Sequence, residues 1–332
     1  MGSDSSEIPE VESSGSQWLF RGTAKDPVQL AKEAGWTAMR LRVWNAPTDR
    51  FCDKAHTLAM AKRIHDAGLK LMIDFHYSDW WADPAKQNKP AAWKELSMDA
   101  LTQAVANYTT DVIGALVKQG TPPDVVQCGN EVTNGMLWPE GRLNINLDGW
   151  DSFIKLSNAA IEATKAACPK AKIMVHIDQG GRNSVSRFWF ENYFKRGGQA
   201  DILGLSYYPF WHGSLPELEQ NLRYLAQTYK KPILIAETAY PYLGWNDKTR
   251  AYDENAVPIP EFKATPTGQA GYTRKLIEIV RRVPNGLGAG VLWWAPHWIG
   301  SKGRGGGWER YTLFDNKTGE ALPAVEALGN KS

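Results

Sequence analysis

Eight short apolar runs, separated by stretches of helical period, constrain this 332-residue chain more than any other feature. They fall at residues 2–5, 38–44, 69–75, 125–129, 172–177, 202–207, 232–237 and 288–294, the first being the weakest. Near-continuous apolarity is the pattern of strands buried on both faces, as parallel sheets require. Two intervening stretches are clearly helical. Met98, Leu101, Val105, Tyr108, Val112 and Leu116 recur every three or four residues, as do Leu215, Leu218, Leu222, Leu225 and Tyr229. Gly68, Gly120 and Gly286 stand just past helical patterns, where C-terminal caps belong. Eight strands alternating with helices predict an α/β fold of the (β/α)8 TIM-barrel type, in one domain over residues 1–332. The alternative, a doubly wound sheet, calls for a nucleotide-binding glycine loop, and neither GxGxxG nor a Walker motif follows any strand. The glycine-rich run 303–307 follows the last strand and reads as a flexible loop. Residues 240–267 form a long, polar, Pro-containing segment after the seventh strand, expected to rise over the C-terminal face.

Composition narrows the function classes. The formal charge of +2 is spread along the chain, with no basic stripe for nucleic acid. No apolar run is long enough to span a membrane. Residues 1–4 carry neither the charged nor the apolar part of a signal peptide. Cys52, Cys128 and Cys168 have no metal-ligand spacing and read as free thiols. The 15 Trp are suggestive, since indole faces stack on the apolar faces of sugars but also fill cores.

A parallel barrel builds its active site from the C-terminal ends of its strands. Those ends carry Asp4, Arg40 with Arg42, Asp74 with His76, Asn130 with Glu131, His176 with Asp178, Tyr207 with Tyr208, Glu237, and Trp293 with Trp294. Singly, each has a structural explanation. An Arg neutralises a barrel carboxylate, and a strand-end His is more often a hydrogen-bonded core residue than a catalyst. Together they are harder to dismiss, because buried polar groups cost stability unless paired. The seventh run ends in a glutamate, Glu237, and the fourth is followed directly by Asn130 and Glu131. A pair of carboxyls facing one another is what glycoside hydrolysis needs.

These ends also resemble a known family. Arg40-Leu41-Arg42-Val43-Trp44-Asn45, the run from Asp74 to Pro84, the run from Gly129 to Pro139, the run from Gly204 to Trp211 and the run from Glu237 to Pro241 are similar to those of the arabinogalactan endo-β-1,4-galactanases, glycoside hydrolase family 53. The Asn-Glu pair is shared by a whole clan of barrel glycosidases, whereas the run from Asp74 and the Trp-Asn after Arg42 are more specific. The resemblance implies a retaining enzyme that cuts β-1,4-galactan internally, with Glu131 as acid/base and Glu237 as nucleophile. It implies that Asn130 holds the 2-hydroxyl of the reacting sugar. Arg42 and either Tyr207 or Tyr208 are expected on the nucleophile, strand alternation favouring Tyr207 as inward-facing with Leu203 and Leu205. Asp74, His76, His176, Trp294 and Trp293 are expected around the reacting sugar, and Trp80, Trp81, Trp138 and Trp211 on loops that stack on further sugars.

The rival readings are a related barrel acting on another β-1,4-glycan, glucan or mannan, and a carbohydrate-binding barrel without turnover. The expected partner is the polysaccharide, with neither nucleic acid nor a membrane span, and the chain is expected to act as a monomer. A secreted or cell-surface protein is expected, its targeting segment outside this sequence. No cofactor is expected. Bacterial members of the resembled family tie their last loops with calcium, but the eighth loop, residues 295–313, has Glu309 as its only carboxylate. Asp247, Asp253 and Glu254 of the seventh loop are the remaining candidate ligands.

Overall fold

A computed structural model of the chain describes residues 1–144, 148–300 and 307–329. Of the glycine-rich run 303–307, only Gly307 lies within the described residues.

The eight apolar runs become the strands of one closed parallel barrel. They are β1 (Gly2–Asp4), β2 (Ala38–Val43), β3 (Lys70–Phe75), β4 (Val125–Cys128), β5 (Lys172–Ile177), β6 (Ile202–Ser206), β7 (Ile233–Glu237) and β8 (Gly288–Trp294). Each pairs with its sequence neighbour, and β1 closes the ring between β2 and β8. Gly2 is needed at that closure, since a Cβ there would stand 1.9 Å from the Ala38 carbonyl oxygen on β2. The helices following the strands are α1 (Pro27–Ala34), α2 (Lys54–Asp66), α3 (Met98–Gln119), α4 (Trp150–Ala167), α5 (Asn183–Lys195), α6 (Leu215–Tyr229), α7 (Pro266–Arg281) and α8 (Pro323–Gly329). The apolar stripes of α3 and α6 are buried as their spacing requires, and α6 starts in a reciprocal capping box between Ser214 and Glu217. Gly120 caps α3 in the left-handed conformation. Gly286 instead ends a separate 3-10 turn, because α7 has already stopped at Arg281. No helix among the described residues is long and apolar enough to cross a membrane.

Strand alternation sorts the side chains into two populations. Leu41, Ile73, Val126, Val175, Leu205, Ile235 and Val291 belong to the large apolar cluster under the helices. Inside the barrel, Met72, Met174, Leu234, Ala236 and Leu292 make a separate apolar floor. Above that floor the inward positions turn polar: Asp4, Arg40, Asp74, Gln127, His176 and Ser206 are all fully or almost fully buried. The fold therefore stacks an apolar plug under a hydrogen-bonded layer, with the strand ends above both. The three cysteines are free and buried.

Candidate active site

β4 ends abruptly. Gly129 takes φ +106°, where a Cβ would meet Val132 Cγ1 at 2.7 Å. Glu131 itself is left-handed, at φ 46° and ψ 52°. A non-glycine residue there stores roughly 1–3 kcal/mol of strain, a cost that clusters at functional sites. The turn lifts Glu131 over the barrel mouth opposite Glu237, the last residue of β7. Single side-chain atoms of Glu131, His176 and Glu237 lie within 4.8 Å of one another, so the two carboxyls face each other closely.

Their surroundings differ. Glu237 Oε1 accepts from Arg40 Nη2 at 2.6 Å, and Oε2 accepts from the Tyr208 hydroxyl at 3.0 Å. Burial raises its pKa above the ordinary carboxylate value, and Arg40 limits that rise without cancelling it. Glu131 accepts only from Ser206 Oγ, at 2.5 Å to Oε1, among the described residues. Burial first, and then the negative charges of Glu237 and Asp178, hold it well above the usual carboxylate range. Both carboxyls are raised, Glu131 the further, so Glu237 is the one that ionises first and Glu131 the one that holds its proton longer.

Both are supported from the polar layer below. Arg40 Nε donates to Asp4 at 3.0 Å and Nη1 to Gln127 Oε1 at 2.9 Å. Burial works against the Arg40 charge, but Asp74, Glu237 and Asp4 outweigh it and raise its pKa. The Gln127 amide donates to Asp74 at 2.6 Å, and lies 3.1 Å from Asn130 Oδ1 and 3.0 Å from His176 Nδ1. Burial lowers the His176 pKa well below its ordinary value, so the ring is neutral. Nδ1 faces the Gln127 amide at 3.0 Å and Asn130 Oδ1 at 3.2 Å; because Ser206 Oγ donates its own proton to Glu131, it accepts from the ring, and the network assigns the ring proton to Nε2, 2.8 Å from Ser206 Oγ. Ser206 then donates onward to Glu131, fixing which carboxyl oxygen is occupied. Asn130 Nδ2 donates to the Ala82 carbonyl at 2.9 Å. His76 accepts from the Ala82 amide at Nδ1 and faces Asp74 through Nε2 at 3.3 Å.

A cavity of about 460 Å³ opens above the two glutamates. Of the residues expected from sequence, Arg42, His76, Trp81, Asn130, Glu131, Tyr208, Trp211, Glu237 and Trp294 line it. Asp74 and His176 lie beneath, in the polar layer. Five expectations need correction. Arg42 does not reach the nucleophile position; its Nη1 faces Asp4 at 3.4 Å, and Arg40, one level deeper, takes Glu237. Tyr207 points outward to the Gly213 carbonyl at 2.9 Å, because Leu203 and Leu205, its partners in alternation, face the helices. Trp293 is likewise outside the barrel, its indole N–H donating to the Tyr311 carbonyl at 2.9 Å. Trp138 lies away from the cavity, donating to the Asn134 carbonyl at 2.9 Å with Arg142 over its ring. Trp80 borders a neighbouring cavity instead.

Sequence reasoning missed Gln127, Ser206, His212 and Trp308. His212 and Trp308 line the cavity, and burial lowers the His212 pKa to about 4. Residues 240–267 contribute nothing to the cavity wall. Calcium ligands do not converge there either: Glu254 pairs with Lys263 at 2.5 Å, and Asp253 accepts from Asn246 and Asn255. Glu309 is the sole carboxylate of the eighth loop, so these residues do not fit a calcium site.

A parallel (β/α)8 barrel with opposed buried carboxyls at the ends of its fourth and seventh strands is the architecture of a glycoside hydrolase. The family follows from comparison: residues 1–328 match the model for glycosyl hydrolase family 53, and the chain belongs to that family. It is 42% identical, over 99% of its length and 93% of the relative's, to an uncharacterized protein in the bgaB 5′ region of Niallia circulans. It is 35% identical to the arabinogalactan endo-β-1,4-galactanase of Cellvibrio japonicus, over 98% of this chain and 89% of that protein. The solved GH53 catalytic domain of Ignisphaera aggregans superposes with a TM-score of 0.89 at 34% identity, covering 98% of this chain and 94% of that one.

Proposed function

We propose that the chain is a retaining endo-β-1,4-galactanase acting by double displacement. The observation that carries the mechanism is the close approach of the two carboxyls, within 4.8 Å at their nearest ligand atoms. Retaining glycosidases hold their carboxyls about 5–5.5 Å apart, whereas inverting ones need roughly 6.5–9.5 Å to admit a water. The substrate class rests on family membership and on the galactanase of Cellvibrio japonicus.

The Glu237 carboxylate, with Arg40 and Tyr208 orienting both oxygens, attacks the anomeric carbon. The glycosidic C–O bond breaks, and Glu131 gives its proton to the departing oxygen. Charge on Glu237 is consumed in the ester, and Glu131 is left as the carboxylate. Glu131 then takes a proton from water, whose oxygen attacks the anomeric carbon from the face the leaving group vacated. The Glu237 ester is released with net retention. Asn130 has one amide hydrogen on Ala82 and a second available to the sugar's 2-hydroxyl. Arg42 and Trp81 stack at 4.2 Å to form one wall of the subsite. A galactan polymer is met outside the cell, so we also assign the chain there, acting as a monomer.

Azide products test the roles. Glu131→Ala with an activated aryl galactoside should accumulate the ester, and azide should resolve it to the β-azide. Glu237→Ala should give only the inverted α-azide. The opposite pair of products, read by proton NMR at the anomeric centre, would reverse the assignment. On linear β-1,4-galactan, viscosity should fall ahead of reducing-end release. Release of galactose alone, with viscosity preserved, would refute endo action.

A further inference from the structure

A chain of hydrogen bonds through the barrel interior joins the two carboxyls. Arg40 gives Nη2 to Glu237 and Nη1 to Gln127. The Gln127 amide meets His176 Nδ1, and both His176 Nε2 and Glu131 Oε1 meet Ser206 Oγ. The chain ends on Glu237 as a guanidinium and on Glu131 as a single hydroxyl. We propose that Ser206 is a positioning residue for Glu131, its hydroxyl oriented by His176 to stabilise the carboxylate that forms when Glu131 gives up its proton. This deepens the double-displacement mechanism and rests on Glu131 being the acid/base.

The direction of each bond carries the argument. Ser206 is fully buried at the end of β6 and has one proton to give. The neutral His176 ring takes the Gln127 amide on Nδ1 and turns its N–H toward Ser206 Oγ at 2.8 Å. With that donor on its oxygen, Ser206 spends its own proton on Glu131 Oε1. The donors therefore run one way, toward Glu131, and bonds in such a chain polarise one another. A hydroxyl donor does most for the ionised carboxyl, because a charged acceptor makes a bond roughly twice as strong. Occupying Oε1 also leaves Oε2 to carry the proton that is given away. A hydroxyl placed only to satisfy His176 would not need to reach Glu131.

The other groups facing Glu131 do not duplicate this role. Glu237 on β7 and Asp178 after β5 oppose its negative charge, while Arg40 on β2 favours that charge but is bonded to Glu237. The Tyr208 hydroxyl is on Glu237, and His212 accepts from the Tyr208 amide at 3.1 Å and faces Asp178 at 3.9 Å. Among the described residues, Ser206 is the one partner that hydrogen-bonds the Glu131 carboxyl.

The test uses full-length Ser206→Ala, with Ser206→Cys as a second variant of similar volume that keeps a weaker donor. Each is compared with wild type in melting temperature and in the pH dependence of kcat/KM on β-1,4-galactan. Aryl galactosides of graded leaving-group acidity are compared alongside. Losing a bond to the charged form makes Glu131 a weaker acid, so the alkaline limb should move up by about 1–2 pH units in Ser206→Ala, and by less in Ser206→Cys. At neutral pH, kcat/KM on galactan should fall about tenfold. On a dinitrophenyl galactoside, whose leaving group needs no proton, it should stay within about twofold of wild type. An unmoved alkaline limb with equal losses on both substrates, in whichever variant folds, would make Ser206 merely structural and overturn the proposal. If the azide products still assign Glu131 as acid/base, that failure belongs to Ser206 alone. A moved acid limb, with the azide products reversed, would overturn the proposal by reversing the roles of the two glutamates.

Discussion

Removing one oxygen atom should separate the two tyrosines at the end of β6. Tyr208→Phe deletes the hydroxyl 3.0 Å from Glu237 Oε2 and changes little else, because the ring is buried and Phe fills the same space. The hydroxyl is a fixed donor: burial, then the charges of Glu237 and Glu131, hold its pKa well above the usual phenol range. A hydrogen bond to a charged group is worth about 1.5–3 kcal/mol. At roughly 1.4 kcal/mol per pKa unit, its loss should raise the Glu237 pKa by about 1–2 units. The acid limb of kcat/KM should move up by the same amount, since free enzyme needs Glu237 ionised. The bond is strongest to the free carboxylate and weakest to the ester, so its loss also slows the step in which the carboxylate leaves. With that step limiting, kcat should fall by about 10- to 150-fold, and an aryl substrate should show a burst of released phenol. Tyr207→Phe is the control. Its hydroxyl bonds the Gly213 carbonyl outside the barrel, so the expected effect is about 0.5–1.5 kcal/mol of stability with kcat and the acid limb retained. Pre-steady-state kinetics and a pH series on both variants decide the matter. An unmoved acid limb in Tyr208→Phe, or a moved one in Tyr207→Phe, would refute the reasoning.

The wild-type rate should be bell-shaped in pH, falling in acid as Glu237 gains a proton and in base as Glu131 loses one; a flat profile with chemistry rate-limiting would contradict this. Glu131→Gln should melt higher than wild type above the ordinary carboxylate range. There the unfolded carboxyl ionises while the folded one, its pKa raised, resists, so wild-type stability falls with rising pH and the variant escapes that loss. A melting-temperature gap that is present in acid and closes with rising pH would have the wrong sign. Gln127→Leu leaves Arg40 Nη1, Asp74 and His176 short of a partner in the barrel interior, and should cost at least about 3 kcal/mol in urea unfolding; a neutral result would mean the layer repacks. Chelation should leave the melting temperature unchanged, because Glu254 is engaged by Lys263 and the eighth loop holds one carboxylate. A large fall restored by calcium would overturn that expectation.

The barrel was legible because strands buried on both faces must be apolar throughout, and because each carboxyl that ends such a run lands at the same end of the barrel. Less was legible where one side chain competes with its neighbour for the same role. Arg40 and Arg42 share the inward parity, so alternation cannot choose between them. Depth chooses, since only Arg40 lies level with Asp4, Gln127 and Glu237 at once. Gln127 is the one polar residue in the apolar strand β4, and its one amide joins β2, β3 and β5 to β4.

The preference for Tyr207 over Tyr208 failed for a different reason. Alternation groups Tyr207 with Leu203 and Leu205 but does not say which way the group faces, and in this barrel the larger apolar surface, which takes both leucines, lies between strands and helices. The inner face above Met72, Met174, Leu234 and Leu292 is polar. One residue of known direction fixes a strand as far as its first irregularity, which on β7 falls just before Glu237. On β2 the charged residues Arg40 and Arg42 must face in, which sends Met39, Leu41 and Val43 out. The same rule on β6 sends Leu203, Leu205 and Tyr207 out with the apolar set, and turns Gly204, Ser206 and Tyr208 inward. Ser206 on Glu131 and Tyr208 on Glu237 are then one consequence: a single strand, read in the right phase, supplies a hydroxyl to each carboxyl.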